Sequence, residues 1–189
     1  YLMIHVTSIL PTMNILAISG SLRKGSYNTM LLKALAKLAP EDMRIEIAEI
    51  GNLPIYNQDN EPSFPAEAQS LKNKIEKADG IIIATPEYNR SVPGVLKNAI
   101  DWASRPYGKN SFARKPVLIA GVSVGNIGTA VAQSHLRQIM VYLDADIVGQ
   151  PELYLTNEII DREGNIVDEA TKKLLTKALE VLADRLRKE

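Results

Sequence analysis

An α/β three-layer sandwich, built on a five-stranded parallel sheet of order 2-1-3-4-5, is the fold class this sequence predicts. Three observations carry it. Apolar, β-rich runs alternate along the chain with stretches of helical periodicity. Runs such as Ile81-Ile82-Ile83 show no apolar/polar alternation, as expected of a strand covered by helices on both faces. Loops rich in Gly, Ser, Asn and Pro follow the first, third and fourth strands, whereas the connections at the other sheet edge read as plain connectors.

The first strand is predicted over residues 14–19, where Ile15-Leu16-Ala17-Ile18 is unbroken, and the first helix over 28–39. A second β-rich run covers 44–50, and the second helix 65–78 places Ala68, Leu71 and Ile75 at three-and-four spacing. The isoleucine run makes 80–85 the third strand, and the helix of 93–104 opens behind Pro93. Residues 116–122 form the fourth strand, 127–143 the fourth helix, and a weaker run at 146–148 the fifth strand. An amphipathic helix over 169–187 closes the chain. Five strands joined in this way suggest the flavodoxin-like order, in which ligands sit outside the carboxyl ends of the strands where strand order reverses.

Composition narrows the functions. Among 189 residues, 22 Lys and Arg balance 22 Asp and Glu, so no global field draws in nucleic acid or an anionic membrane, and no acidic excess suggests a small electron carrier. With no cysteine, disulfides, thiol catalysis and iron–sulfur ligation are excluded, and a reducing cytoplasm fits. His5 and His135 cannot build a zinc site alone, and Asp144, Asp146 and Asp161 lack calcium-loop spacing, so no metal is expected. The longest apolar runs are far below the ~20 residues that span a bilayer. Residues 1–12 lack a basic leader and a cleavage site, and Met13 reads as the natural start. The expected organisation is an N-terminal extension of residues 1–12 and a single domain over 13–189.

The loop of residues 20–28 joins a buried strand to a helix start. Gly20 and Gly25 can take backbone angles that other residues resist, and Ser21, Ser26 and Asn28 offer hydroxyl and amide groups. First-turn N–H groups and the positive end of the helix dipole face this loop and stabilise a phosphate there, to which Arg23 adds a charged fork. The loop lacks the Gly-Lys-Ser/Thr ending of a triphosphate loop and the GxGxxG spacing of a dinucleotide fold, which favours a monophosphate. Read without a ligand, it is an ordinary strand-to-helix turn with Ser or Asn as N-cap.

In the second loop, Pro86 and Pro93 flank a polar cluster whose stiff backbone can present N–H and C=O groups to a flat heterocycle. Tyr88 offers a wall and Asn89 a donor and an acceptor. A rigid turn capping the next helix is the equal alternative. The third loop, residues 123–128, allows close backbone approach through Gly125 and Gly128, and reads equally as a helix cap. Lys97 with Asp101, and Arg137 with Val141, read as solvated or interface positions; Trp102 reads as a packing anchor. Neither histidine lies near the three loops along the chain, so no Ser/His/Asp set is evident, and His135 reads as a helix-surface or interface residue.

GSLRKGSYN after the first strand, TPEYNRSVPGVLKNAIDW after the third, and the SVGNIG loop with the downstream HLRQ stretch closely resemble the NADPH-dependent FMN reductases, especially the bacterial quinone and chromate reductase branch. The likeness runs over residues 14–151. It implies a flavodoxin-like fold that binds FMN noncovalently and passes hydride from NADPH or NADH to quinones, and to chromate, azo compounds or free flavin. No side-chain acid or base is required. By position it implies that Ser21, Arg23, Ser26 and Asn28 hold the FMN phosphate, with the backbone of Leu22, Lys24, Gly25 and Tyr27 around it. Pro86, Glu87, Tyr88 and Asn89 would lie along the isoalloxazine ring and ribityl chain, and Val122 and Ser123 near the pyrimidine edge. Arg90, Arg105 and Tyr107 stand where they could line the mouth and attract the reductant's phosphates, surface solvation being the other role for each.

The resemblance also implies a homodimer or homotetramer with the flavin near a subunit boundary. Many relatives read Gly-Gly and then Arg at the start of the fourth helix, where this chain has Gly128-Thr129 and then Val131, which leaves dimer and tetramer both open. Two rival classes remain at this stage: a flavodoxin-type carrier exchanging single electrons with protein partners, and an FMN-binding regulatory module without turnover. Balanced charge disfavours the carrier.

Overall fold

A computed structural model describes residues 12–188; residues 1–11 of the expected extension, His5 among them, lie outside the described residues. The strands are β1 (Met13–Ser19), β2 (Met43–Ala48), β3 (Gly80–Ala84), β4 (Pro116–Ser123), β5 (Asp146–Ile147) and β6 (Leu153–Thr156). The helices are α1 (Tyr27–Leu38), α2 (Ala66–Lys77), α3 (Gly94–Ala103), α4 (Ala130–Tyr142) and α5 (Glu169–Leu186). All strand pairs are parallel and the order is β2-β1-β3-β4-β5, as the alternation predicts.

Successive side chains of a strand leave opposite faces of the sheet, so each unbroken apolar run feeds two cores. Ile15, Ala17, Ile82, Leu118, Ala120 and Val122 pack beneath α1 and α5. Leu16, Ile18, Ile81, Ile83, Val117 and Ile119 pack beneath α2, α3 and α4. Trp102 on α3 is fully buried, meets Tyr56 and Phe64 edge-on at 5.0 and 5.1 Å, and donates its indole N–H to Pro54 O at 2.8 Å. It is the packing anchor expected, and it pins the long β2–α2 connection to α3. Lys97 and Asp101 form an exposed ion pair at 2.8 Å, also as expected.

The fifth strand differs from expectation. It spans two residues rather than three and pairs with the start of β4, Pro116↔Asp146. Further along the same edge of β4, the unforeseen β6 pairs in parallel, Ala120↔Leu153 to Ser123↔Thr156. Pro151 between the two has no N–H to give a ladder. One edge position is thus shared by two short strands, and β6 supports the end of β4 from which the third loop departs.

Candidate functional site

The first, second and third loops leave the carboxyl ends of β1, β3 and β4. At Gly20 a Cβ would sit 3.1 Å from both Leu96 Cδ2 and Pro86 Cδ, so the missing side chain lets the first loop lie against the second. Ser26 caps α1, its Oγ accepting from Thr29 N at 3.3 Å, while its own N–H donates to Arg23 O at 3.0 Å and closes the turn. Ser19 Oγ and Thr29 Oγ1 lie 2.8 Å apart and brace β1 against α1. After these bonds, the N–H groups of Lys24, Gly25, Tyr27 and Asn28 have no partner among the described residues. Orphan donors at a helix start, with the dipole behind them, make an anion site. Arg23 stands beside it with its guanidinium 5.4 Å from the Tyr27 ring centroid.

Asn28 does something other than expected. Its Nδ2 donates to Val122 O at 3.0 Å and its Oδ1 accepts from Val122 N at 2.9 Å, all within the buried interior. The carboxamide mimics a strand neighbour for the end of β4, so what Asn28 offers an anion is its backbone N–H. Asn28→Ala leaves a buried N–H and C=O unpaired, and is expected to cost about 2 kcal/mol in chemical denaturation. A variant as stable as the parent would show that the clamp contributes nothing.

Glu87 is likewise committed. Its Oε2 accepts from Val131 N and Ala132 N, both at 3.0 Å, and so caps α4 from another loop. The residue preceding α4, Thr129, has φ +67 and provides no side-chain cap. The Glu87 carboxylate therefore turns toward α4 rather than serving only as cavity wall. His135 also sits elsewhere than its chain position implied: α4 brings its Nδ1 within 3.0 Å of Ser91 Oγ on the second loop. In the third loop, Ser123 Oγ donates to Gly125 O at 2.8 Å.

These loops enclose a cavity of about 420 Å³ lined by Ser21, Arg23, Ser26, Tyr27, Asn28, Pro86, Glu87, Tyr88, Val122, Ser123 and Val124. Ten of the expected positions meet here. Leu22, Lys24 and Gly25 do not line it: Leu22 lies against Gly51, and Lys24 and Gly25 stand outside the wall. Asn89 lines an adjoining hollow instead. Val124 is the lining residue that sequence reasoning missed, though the third loop that carries it was singled out. Arg105 and Tyr107 are absent from the mouth. Arg105 Nε donates to Glu61 Oε1 at 2.6 Å and its guanidinium lies over Tyr56; the Glu61 contact holds its pKa above the usual arginine range. A larger hollow, about 600 Å³, lies at the opposite strand ends beside Asp79, Arg114 and Lys115, away from all three loops.

The family model for the NADPH-dependent FMN reductases matches residues 13–159. The chain belongs to this family. As an FMN reductase family member it is 52% identical over 165 residues to a 2-hydroxy-1,4-benzoquinone reductase from a Burkholderia species, a match covering 86% of this chain and 90% of that protein. It is 44% identical over 170 residues to the quinone reductase of Escherichia coli K12, covering 87% and 90%. Among solved structures, FerB from Paracoccus denitrificans, a flavoenzyme NAD(P)H:(acceptor) oxidoreductase, superposes with a TM-score of 0.88 at 40% identity, covering 94% of this chain and 98% of FerB. Among the described residues no helix is long and apolar enough to cross a membrane.

Proposed function

We propose that residues 13–189 form one FMN-binding domain that oxidises NADPH or NADH and reduces a quinone, with the cavity between the three loops as its flavin site. FMN supplies the two-electron chemistry when bound; the protein supplies binding, orientation and electrostatics. The observation that carries the reading is the pair of helix-start amides of Tyr27 and Asn28, without a partner among the described residues, beside Arg23 and the Ser21 and Ser26 hydroxyls. That donor set suits a phosphate monoester, and the cavity falls within the ~300–1,000 Å³ usual for cofactor pockets. Leu22 contributes through the course of its backbone around the phosphate.

The second loop is held stiff by Pro86 and by the Glu87 contacts to α4, so its backbone through Tyr88 and Asn89 is already ordered to flank a flat ring and its sugar-like chain. Val122 is fixed by Asn28, which leaves Ser123 as the polar group at the remaining edge. No side chain is required to take up or release the transferred hydride. The quinone acceptor class and the cytoplasm are inferred with this reading, and chromate, azo compounds and free flavin are the other acceptors to assay. A homodimer or homotetramer is expected in light scattering.

Anaerobic titration of the FMN-loaded protein with NADPH tests the function. Bleaching of the oxidised flavin band at about one equivalent, recovered on adding benzoquinone, is the expected result. Flavin that binds but stays unbleached would make this a carrier or regulatory module. Failure to retain FMN would remove the flavin-site reading itself.

A further inference from the structure

Beside the flavin cavity lies a second hollow of about 390 Å³, bordered by Asn89, Arg90 and residues of the third loop. The two share Glu87, Ser123 and Val124 and so lie side by side, the two halves of a groove along the loops. Arg23 lines one half of this groove and Arg90 the other, and among the described residues no further Lys or Arg lines either.

Arg90 is held there against its backbone preference. Tyr88 and Ser91 exchange both backbone hydrogen bonds, at 3.2 and 3.0 Å, which closes a two-residue hairpin whose central residues Asn89 and Arg90 have φ of 51 and 58. Turns with two positive φ angles favour Asn followed by Gly. Asn89 satisfies that preference, but Arg90 occupies the glycine position, where an L side chain is strained. A side chain kept at such a place points to work done by the side chain.

The guanidinium is positioned and still largely unused. Its Nη1 donates to Glu87 Oε1 at 3.2 Å, with the Arg90 side chain 66% exposed and that of Glu87 only 9%. The other Glu87 oxygen is taken by the α4 amides, so the carboxylate aims Arg90 while being engaged elsewhere. Most of the five guanidinium N–H donors remain for an incoming anion.

We propose that the Arg90 half of the groove binds a phosphate of the nicotinamide dinucleotide. The proposal rests on the flavin-site reading above and adds how the reductant is recognised. A guanidinium fork matches phosphate oxygens, whereas a simple quinone is neutral and has no group that calls for one. Chain-wide charge is balanced, so capture of a polyanionic reductant has to come from a local cation. Arg105, the other arginine expected at the mouth, is paired with Glu61.

Stopped-flow reduction of FMN-loaded Arg90→Gly and Arg90→Lys by NADPH and by NADH, followed by reoxidation with benzoquinone, tests it. Glycine suits the positive φ, so the fold is expected to survive, checked by thermal unfolding. The expected result is a roughly tenfold weaker half-saturation by reductant, with the limiting reduction rate and the quinone step held, and partial recovery in Arg90→Lys. Weakening confined to NADPH identifies the 2′-phosphate, and weakening of both reductants identifies the pyrophosphate; either upholds the proposal. Unchanged half-saturation by both reductants overturns it, as does an effect confined to the quinone step. If the unsubstituted protein is not bleached at all, the reductase reading fails and takes this proposal with it. If it is bleached and Arg90→Gly matches it, the Arg90 proposal alone fails.

Discussion

Gly121→Ala is expected to destabilise the protein by at least about 3 kcal/mol, the upper end of what overpacking usually costs, and to reduce flavin retention with it. Gly121 lies in β4 opposite Tyr154 of β6. A Cβ there would fall 1.9 Å from Thr129 Oγ1 and 2.4 Å from the Thr85 carbonyl oxygen. The first contact can be removed by changing a side chain; the second is backbone, fixed by Thr85 N donating to Ala120 O at 2.9 Å. Thr129 is fully buried at φ +67, where a β-branched residue is strained, and its Oγ1 accepts from Gln133 Nε2 at 3.0 Å. Thr129→Gly alone exchanges that hydrogen bond for relief of about 1–2 kcal/mol of backbone strain and is expected to be close to neutral. Combined with Gly121→Ala it should restore part of the lost stability but not all, because the Thr85 oxygen remains. Urea midpoints of the two single variants and the double measure the coupling. A double variant no better than the sum of its parts would show that the Thr129 hydroxyl is not what excludes a side chain at 121.

That junction explains what could be read from the chain and what could not. Strand order and the two cores were legible because Ile81-Ile82-Ile83 and Ile15-Leu16-Ala17-Ile18 declare strands buried on both faces, and that burial is a property of each run by itself. Convergence of the loops after β1, β3 and β4 follows from the strand order alone. The roles of individual polar side chains were less legible, since each is decided by a partner far along the chain. Asn28 reads as an anion ligand until Val122, 94 residues on, is seen to take both ends of its carboxamide. Glu87 meets the amides of Val131 and Ala132, and His135 meets Ser91, 44 residues apart in each of the Glu87–Val131 and Ser91–His135 pairs. The strand Leu153–Thr156 escaped notice because four residues carry too little periodicity, and only its place on the edge of β4 makes it a strand. Thr129 in a left-handed conformation has no signal in the sequence at all: threonine is a residue one would not assign there.

Ser26→Asp is expected to weaken FMN binding at least about 100-fold while leaving riboflavin binding far less affected. The serine is buried, and its Oγ caps α1 through Thr29 N. Aspartate is an equally good N-cap, so the helix keeps its cap and the α1 turn its shape. What changes is charge: a carboxylate enters beside the open amides of Tyr27 and Asn28, competes for them, and repels a second anion. Riboflavin shares the ring and side chain of FMN but lacks the phosphate, so comparing the two separates loss of the cradle from loss of the pocket. Fluorescence quenching of each flavin by the apoprotein gives both affinities, and far-ultraviolet circular dichroism confirms the fold. If Ser26→Asp weakens the two flavins equally, the phosphate is not held at this loop. If it weakens neither, the open amides are not where the flavin binds.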